Sequence, residues 1–412
     1  MLKNIKMLKI LLKKIVVLTI GLPLVFFIRF FSLVIPIRLG YFYVERIGHF
    51  AKDAELYLAE KTLNSHIKTI DLFFMGGKSS NSFLLKLVKR KITVNRLVSI
   101  IHTANKLLPN NKKYEYIPHV EKQGNTADLK GLLPKTKPHL SFTNKEDKTA
   151  NAFLKSIDCN KKFVCLSIRD SAYLKETFPD INFSYHNYRD SEVETYISSI
   201  EYLLENDFFV IRMGKIVNDS LDIKHDNFLD YASSDLKNDF LDIWLMANCE
   251  FCISTSTGLD EIADIFRVPI VYVNALAIAN YSSWNPGCIW TPKTIVSKKD
   301  MMPISIDRLI NTGAIGFPER GDYQALLDEK DLTYINNTED EILDGVIEMV
   351  TKLNGEWEYS HKRKERQKVF WDKFKTWQNF KKYHNVHQEE PIGIISDTYL
   401  EKNKDWFFDK KI

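Results

Sequence analysis

The sequence predicts an α/β protein built on parallel sheets, and its clearest part is a Rossmann-like domain from about Lys161 to Asn274. Three observations predict it. Short apolar runs such as FVCLSI (163–168) and VPIVYV (268–273) alternate with stretches at helical spacing, as in Val193, Ile197, Ile200 and Leu204. Polar or cationic groups follow several of those runs, where open parallel sheets bind ligands. The length, 412 residues, and the 45% apolar content allow two domains with cores of their own.

Residues 1–38 read as a basic and apolar membrane-associating segment. Lys3, Lys6, Lys9, Lys13 and Lys14 precede an apolar run from Ile15 to Ile37. A spanning helix needs about 20 apolar residues, so the run is long enough. Pro23, Arg29 and Pro36 interrupt it, and a charge in lipid is costly. Arg38 and Arg46 make the far flank basic as well, and basic flanks favour the cytoplasm. A monotopic anchor on the cytoplasmic face of the inner membrane therefore fits better than a span. A signal peptide or a buried core helix is the bland alternative, although Pro36-Ile37-Arg38 is no small-residue cleavage site.

Residues 39–150 read as a first Rossmann-like domain with a linker. Leu39 to Val44 is strand-like and Glu45 to His49 a loop. Asp53 to Leu63 is helical, and Ile67 to Met75 is a strand closed by Gly76-Gly77. Ser82 to Arg90 and Arg96 to Leu108 look helical, around a short strand at Ile92 to Val94. Residues 109–150, with four prolines, are read as the tail of this domain and a linker.

The second domain covers residues 151–335. Strands are expected at Lys162–Ile168, Phe208–Arg212, Phe251–Ser254 and Val268–Val273, with a weaker candidate at Phe228–Tyr231. Helices are expected at Ser191–Asn206, Phe240–Ala247 and Gly258–Phe266. Residues 336–412 form a charged helical tail, whose run His361 to Arg366 reads as a solvated face.

Five constellations could carry chemistry. Ser254, Thr255, Ser256, Thr257 and Gly258 follow a buried strand and open a helix, where unpaired N–H groups and the macrodipole favour an anion. A plain Ser/Thr helix cap reads the same way. Arg169, Asp170 and Ser171 follow another strand, and Arg212 and Lys215 a third, so cations converge toward a pyrophosphate. His186 and Arg189 lie in HNYRD (186–190), too polar for a core. In the first domain, Arg46 and His49 lie after the first strand. His49 could act as general base, with Asp53 or Glu55 orienting it, because imidazole titrates near neutrality. A lone His is more often structural.

The composition narrows the classes. With 57 basic and 53 acidic residues the net charge is +4, which argues against a dedicated nucleic-acid binder. Five cysteines in no disulfide spacing point to a reducing compartment, and the lone Cys249/Cys252 pair lacks zinc partners. P-loop, GxGxxG and GxSxG signatures are absent. No metal site and no cofactor is expected.

Taken together, RIGHFAKDAELYL (46–58), SIRDSAYL (167–174), HNYRD (186–190), VIRMGK (210–215), DYAS (230–233), STSTGLDEIADIFRVP (254–269) and IGIISDTYLEKNKDWF (392–407) resemble a family of bacterial glycosyltransferases found with surface-polysaccharide genes. The block at 254–269 also looks like the donor site of GT-B enzymes. The resemblance implies two Rossmann-like domains facing a cleft, with a C-terminal helical tail across both. It implies a nucleotide-sugar donor on the second domain, and a lipid-linked or growing glycan acceptor on the first. The rivals are a catalytically silent nucleotide-sugar-binding scaffold and another sugar-modifying transferase.

Overall fold

The computed structural model describes residues 2–169, 172, 176, 188–218, 220–316, 322–358, 360–387, 391 and 393–408. The chain forms two compact units, one of Met1–Thr126 with Pro138–Phe142, the other of Ala127–Lys137 with Thr143–Ile412. Both are α/β with parallel sheets.

The first unit runs α1 (Leu2–Val16), a π-helical turn (Val17–Gly21), α2 (Leu22–Phe31), β1 (Ile37–Tyr43), α3 (Ile47–Leu63), β2 (Ile70–Gly76), α4 (Ser82–Lys89), α5 (Leu97–Asn105), β3 (Glu115–Tyr116) and α6 (His119–Gln123). Its sheet is parallel in the order β2-β1-β3, and Val94 adds a single bridge to Phe73. Phe42, Phe50, Tyr57, Phe73 and Tyr116 pack ring against ring in its core.

The opening helix is docked along one face. Val17, Gly21, Val25 and Ile28, spaced by four, four and three residues, are buried, and Val17, Val25 and Ile28 share a cluster with Val98, Ile101 and Ala104 of α5. At Gly21 a Cβ would lie 2.8 Å from the Ala104 Cβ, so only glycine permits this approach. The opposite face leaves Leu18, Leu24, Phe26, Phe27, Phe30 and Phe31 exposed. By length and composition Ile10–Phe31 could cross a membrane. Arg29 is not stranded within that apolar stretch. Its guanidinium donates to Asn105 Oδ1 at 2.8 and 3.2 Å and to the Pro109 carbonyl at 2.9 Å.

Two expectations about this unit change. The loop after β1 is shorter than read, because α3 begins at Ile47 and takes Gly48 and His49 into its first turn. Phe50, Ala51 and Ala54 are buried and extend the helical pattern toward the N-terminus. The stretch 109–150 is also more than a linker. It contains β3, α6 and the start of a helix of the second unit, opened by a Thr143/Glu146 capping box.

The second unit runs α7 (Asn144–Ser156), β4 (Phe163–Ser167), α8 (Ile197–Glu205), β5 (Phe209–Met213), β6 (Phe228–Leu229), α9 (Asp239–Asn248), β7 (Cys252–Ser254), α10 (Asp260–Ile265), β8 (Ile270–Ala275), β9 (Cys288–Pro292), β10 (Thr294–Ser297), α11 (Ile306–Thr312), α12 (Tyr323–Glu329), β11 (Leu332–Ile335), α13 (Glu339–Leu353), α14 (His361–Phe374), α15 (Phe380–His384), β12 (Ile394–Ile395) and α16 (Asp397–Phe407). Seven strands form one parallel sheet, β12-β9-β8-β7-β4-β5-β6; β10 and β11 pair antiparallel apart from it. Every residue of β4, β5, β7, β8 and β9 is buried, which is why these strands read as unbroken apolar runs.

The C-terminal helices belong to this unit's core. Ile342, Val346 and Met349 of α13 share a cluster with Val271, Ile289 and Ile200. The solvated-face reading fails at Arg366, which is buried and forks onto Asp397 at 2.6 and 2.8 Å.

Candidate functional site

The strand order decides where a ligand can sit. From β4 the chain steps outward to β5 and β6, then returns to the other side of β4 for β7, β8 and β9. The sheet's direction of growth therefore reverses between β4 and β7. In such sheets the crevice lies outside the carboxyl ends of those two strands.

Two segments line this switch point. Ser167 ends β4 and is followed by Ile168 and Arg169; Ser254 ends β7 and is followed by 255–259. They are stitched together: the Arg169 amide donates to Thr255 Oγ1 at 2.8 Å, and the Ser167 and Thr257 hydroxyls are 3.0 Å apart.

The 254–258 loop is organised around an internal anion. The Thr257 and Gly258 amides donate to the Asp260 carboxylate at 3.1 and 2.9 Å, and Ser254 Oγ donates to it at 2.8 Å. The Ser256 amide goes to Ser254 Oγ at 3.1 Å. Ser256 and Gly258 turn the chain through the left-handed region, with φ of 65° and 95°. Asp260 is buried, and burial raises its carboxyl above the usual range despite these donors. The amides that the sequence aimed at a phosphate thus hold the protein's own carboxylate, and α10 has only six residues.

Cations surround the loop instead. Arg169 Nε donates to Asp190 Oδ1 at 3.2 Å. Arg189 donates to the Ser256 carbonyl at 3.4 Å, and its buried Nε has no hydrogen-bond partner. Lys293, the residue after β9, is buried; its Nζ donates to the Asp190 carbonyl at 3.0 Å and lies 4.7 Å from the Tyr334 ring centre. Burial and the neighbouring Arg189 lower Arg169 to about 10, and burial lowers Lys293 to about 8. Among the described residues, Arg169 and Lys293 thus meet at Asp190, one on its carboxylate and one on its carbonyl, and Arg189 crowds Arg169. An anion entering here would relieve their mutual repulsion and desolvation.

Asn274 fixes the floor. The next-to-last residue of β8, it donates to Ser191 Oγ at 2.8 Å and exchanges two bonds with Asn337, at 2.5 and 2.7 Å. The ends of β4, β7, β8 and β9 therefore converge on the segment 188–191.

The expected residues divide into groups. Arg169, Arg189 and Ser254 to Gly258 come together at the switch point. Arg212 is buried against Asp230 at 3.1 Å, whose carboxylate also accepts from Leu221 and Ser233. Lys215 is exposed, 3.8 Å from Asp239. Those two pair with acids of β5's own flank. Asp170, Ser171 and His186 lie outside the described residues. In the first unit, Arg46 is exposed just before α3, His49 is part-buried in its first turn, and Asp53 accepts the Val120 amide at 2.7 Å. Burial lifts Asp53 to about 7.

Three residues escaped the sequence reading: Lys293, Asp190 as the anchor of the cations, and Asp260. The signal for Lys293 was present, since a cation follows the buried strand CIWTP just as Arg169 follows FVCLSI. The described cysteines are all free and buried.

No family model and no curated protein sequence matches this chain. Among solved structures it is similar to the E. coli ADP-heptose LPS heptosyltransferase II, at 11% identity and a TM-score of 0.40, over 77% of this chain and 100% of that one. It is also similar to a family 9 glycosyl transferase from Veillonella parvula, at 10% identity and a TM-score of 0.41, over 77% of this chain and 98% of that one. At such distances a likeness describes shape, and the chemistry must come from this chain's own residues.

Proposed function

We propose that this chain is a glycosyltransferase of the GT-B type, whose second unit binds the diphosphate of a nucleotide-sugar at the switch point between β4 and β7. The observation that carries this reading is the meeting of Arg169 and Lys293 at Asp190, with Arg189 alongside on the Ser256 carbonyl. A diphosphate is the ligand whose charge matches that excess and whose size spans several strand ends.

The reaction follows from that binding mode. An acceptor hydroxyl attacks the anomeric carbon, the new glycosidic C–O bond forms, and the bond from that carbon to the diphosphate breaks. The leaving diphosphate keeps the electron pair, and preorganised cations stabilise it without a metal. The acceptor proton goes to a general base, for which His49 is our candidate, with Arg46 and Asp53 beside it in sequence. The acceptor is a hydroxyl of a lipid-linked or growing surface glycan. The exposed apolar face of the N-terminal helix supports membrane association, and its basic flanks are our ground for a monotopic position on the cytoplasmic face of the inner membrane.

A thermal-shift screen against UDP-, GDP-, CMP-, dTDP- and ADP-sugars tests the reading. A donor at 100 times its dissociation constant should stabilise the protein by about 2.7 kcal/mol. His49→Ala should lower turnover and spare donor binding. If no donor stabilises the chain or is turned over, the assignment fails; stabilisation without transfer or donor hydrolysis would mark a silent binding protein. Turnover unaffected by EDTA is expected, and its loss would remove metal independence.

A further inference from the structure

The near-neutral total charge conceals a strong division. The first unit carries 21 basic and 7 acidic residues, a net +14; the rest of the chain carries 36 basic and 46 acidic, a net −10. Within the first unit the acids are confined to short stretches. Residues 1–44 hold seven cations and no acid, and residues 78–114 hold nine cations and no acid.

The two acid-free stretches meet beside the exposed apolar helix. Arg29 of α2 and the 109–114 turn line an open cleft of about 530 Å³. Asn110 takes a left-handed conformation, φ 57°, and the following 3-10 turn carries Lys112 and Lys113, both exposed. The Tyr114 ring lies between cations, with Arg29 Cζ 4.7 Å and Lys113 Nζ 5.8 Å from its centre. Three of the five N–H donors of Arg29 are bonded to Asn105 and Pro109, which fixes the guanidinium and leaves two for a ligand. Phe26, Phe27, Phe30 and Phe31 surround Arg29 in sequence and are exposed, as are Leu33 and Val34 just beyond.

We infer that this cleft is a seat for the phosphate of an anionic phospholipid headgroup, used when the helix face lies in the bilayer. The inference rests on the monotopic reading above and adds to it a defined site with lipid selectivity. An apolar strip at acyl depth with a fixed guanidinium and two lysines beside it matches a lipid in both its parts, tails and headgroup. A soluble phosphate would use only the second.

The test is flotation of the full-length protein with vesicles of phosphatidylcholine alone, or with one third phosphatidylglycerol. The wild-type chain should bind both and prefer the anionic vesicles. Replacing both exposed lysines (Lys112→Ala with Lys113→Ala) should cut that preference by roughly fivefold per lysine, with binding to neutral vesicles unchanged. Lys89→Ala with Lys91→Ala removes equal charge from exposed positions elsewhere on the unit, and should leave the preference nearly intact. Equal losses in both double variants, or none in either, would overturn the site while sparing the membrane reading. Failure of the wild-type chain to float with any vesicle would overturn the membrane reading itself. Release from anionic vesicles by inorganic phosphate, but not by chloride at equal ionic strength, would show a free-phosphate site and overturn the lipid assignment.

Discussion

Lys293→Met separates the cost of burying this cation from its benefit to the proposed diphosphate site. Burial lowers Lys293 from 10.5 to about 8. The folded protein therefore binds fewer protons than the unfolded chain between those values, and stability from this group rises as pH climbs from about 8 to 10.5. Below about 8 the ammonium is charged in both states and the full penalty stands, about 3 kcal/mol from the size of the drop. Removing the amine forfeits its bond to the Asp190 carbonyl, worth about 1 kcal/mol. The variant without ligand should thus be more stable at pH 7 by about 2 kcal/mol, raising Tm by a few degrees. Donor binding should move the other way. A unit charge about 4 Å from the diphosphate, at an effective dielectric near 20, contributes up to about 4 kcal/mol. Offset by some rearrangement, its loss should weaken nucleoside diphosphate binding about a hundredfold. Scanning fluorimetry across pH and calorimetric titration with nucleoside diphosphates read the two effects. A variant that melts lower and binds with unchanged affinity would refute the reasoning, leaving Lys293 as a structural amine over Tyr334.

The other predictions concern the frame. Burial raises Glu348 to about 7, Asp53 to about 7 and Asp242 to about 6. Their contribution to stability is complete below the ordinary carboxyl range and disappears as pH rises through 6 and 7. The melting temperature should show this slope, and Glu348→Gln, which keeps an acceptor for Ser396 and Asp397, should flatten it; an unchanged slope would exclude Glu348 as a source. Gly21→Leu should push the N-terminal helix off α5, exposing both to proteolysis, whereas Leu24→Ala on the exposed face should not. Asp260→Ala leaves two amides and the Ser254 hydroxyl without their acceptor and should destabilise the second unit by about 3 kcal/mol; a neutral effect in thermal denaturation would mean the loop has other means of support.

The α/β class and most strands were legible because a parallel sheet covered on both faces demands unbroken apolar runs, and FVCLSI and VPIVYV supply them. β9 was passed over because its run, CIWTP, is short and mixes polar Thr291 with a proline. Overlooking it also hid Lys293. The loop at 254–258 was recognised as an anion nest, and its geometry is one. Periodicity could not reveal that Asp260 fills it, because the carboxylate reaches back only through the left-handed turns at Ser256 and Gly258. Arg212 was read as a ligand-facing cation on its position at a strand end. Its partner Asp230 lies 18 residues away, across a connection whose path the sequence does not encode in any simple period. Arg29 appeared as an interruption of an apolar segment, and only the fold brings Asn105 and Pro109 to it.

One pairing affects how the chain comes to be folded. β9 is not the last strand of its sheet, because Ile394–Ile395 of β12 pair beside Ile289 and Trp290, about a hundred residues further on. During synthesis the inner strands can assemble as soon as they emerge, yet β9 then presents a bare row of amides and carbonyls. That edge stays open until residues 394–396 have been made, and the Ser396 amide then locks it by donating to the Trp290 carbonyl. A chain interrupted before residue 394 would carry the other six strands of this sheet with an added adhesive border, so stalled or truncated products should self-associate more than the chain that includes β12.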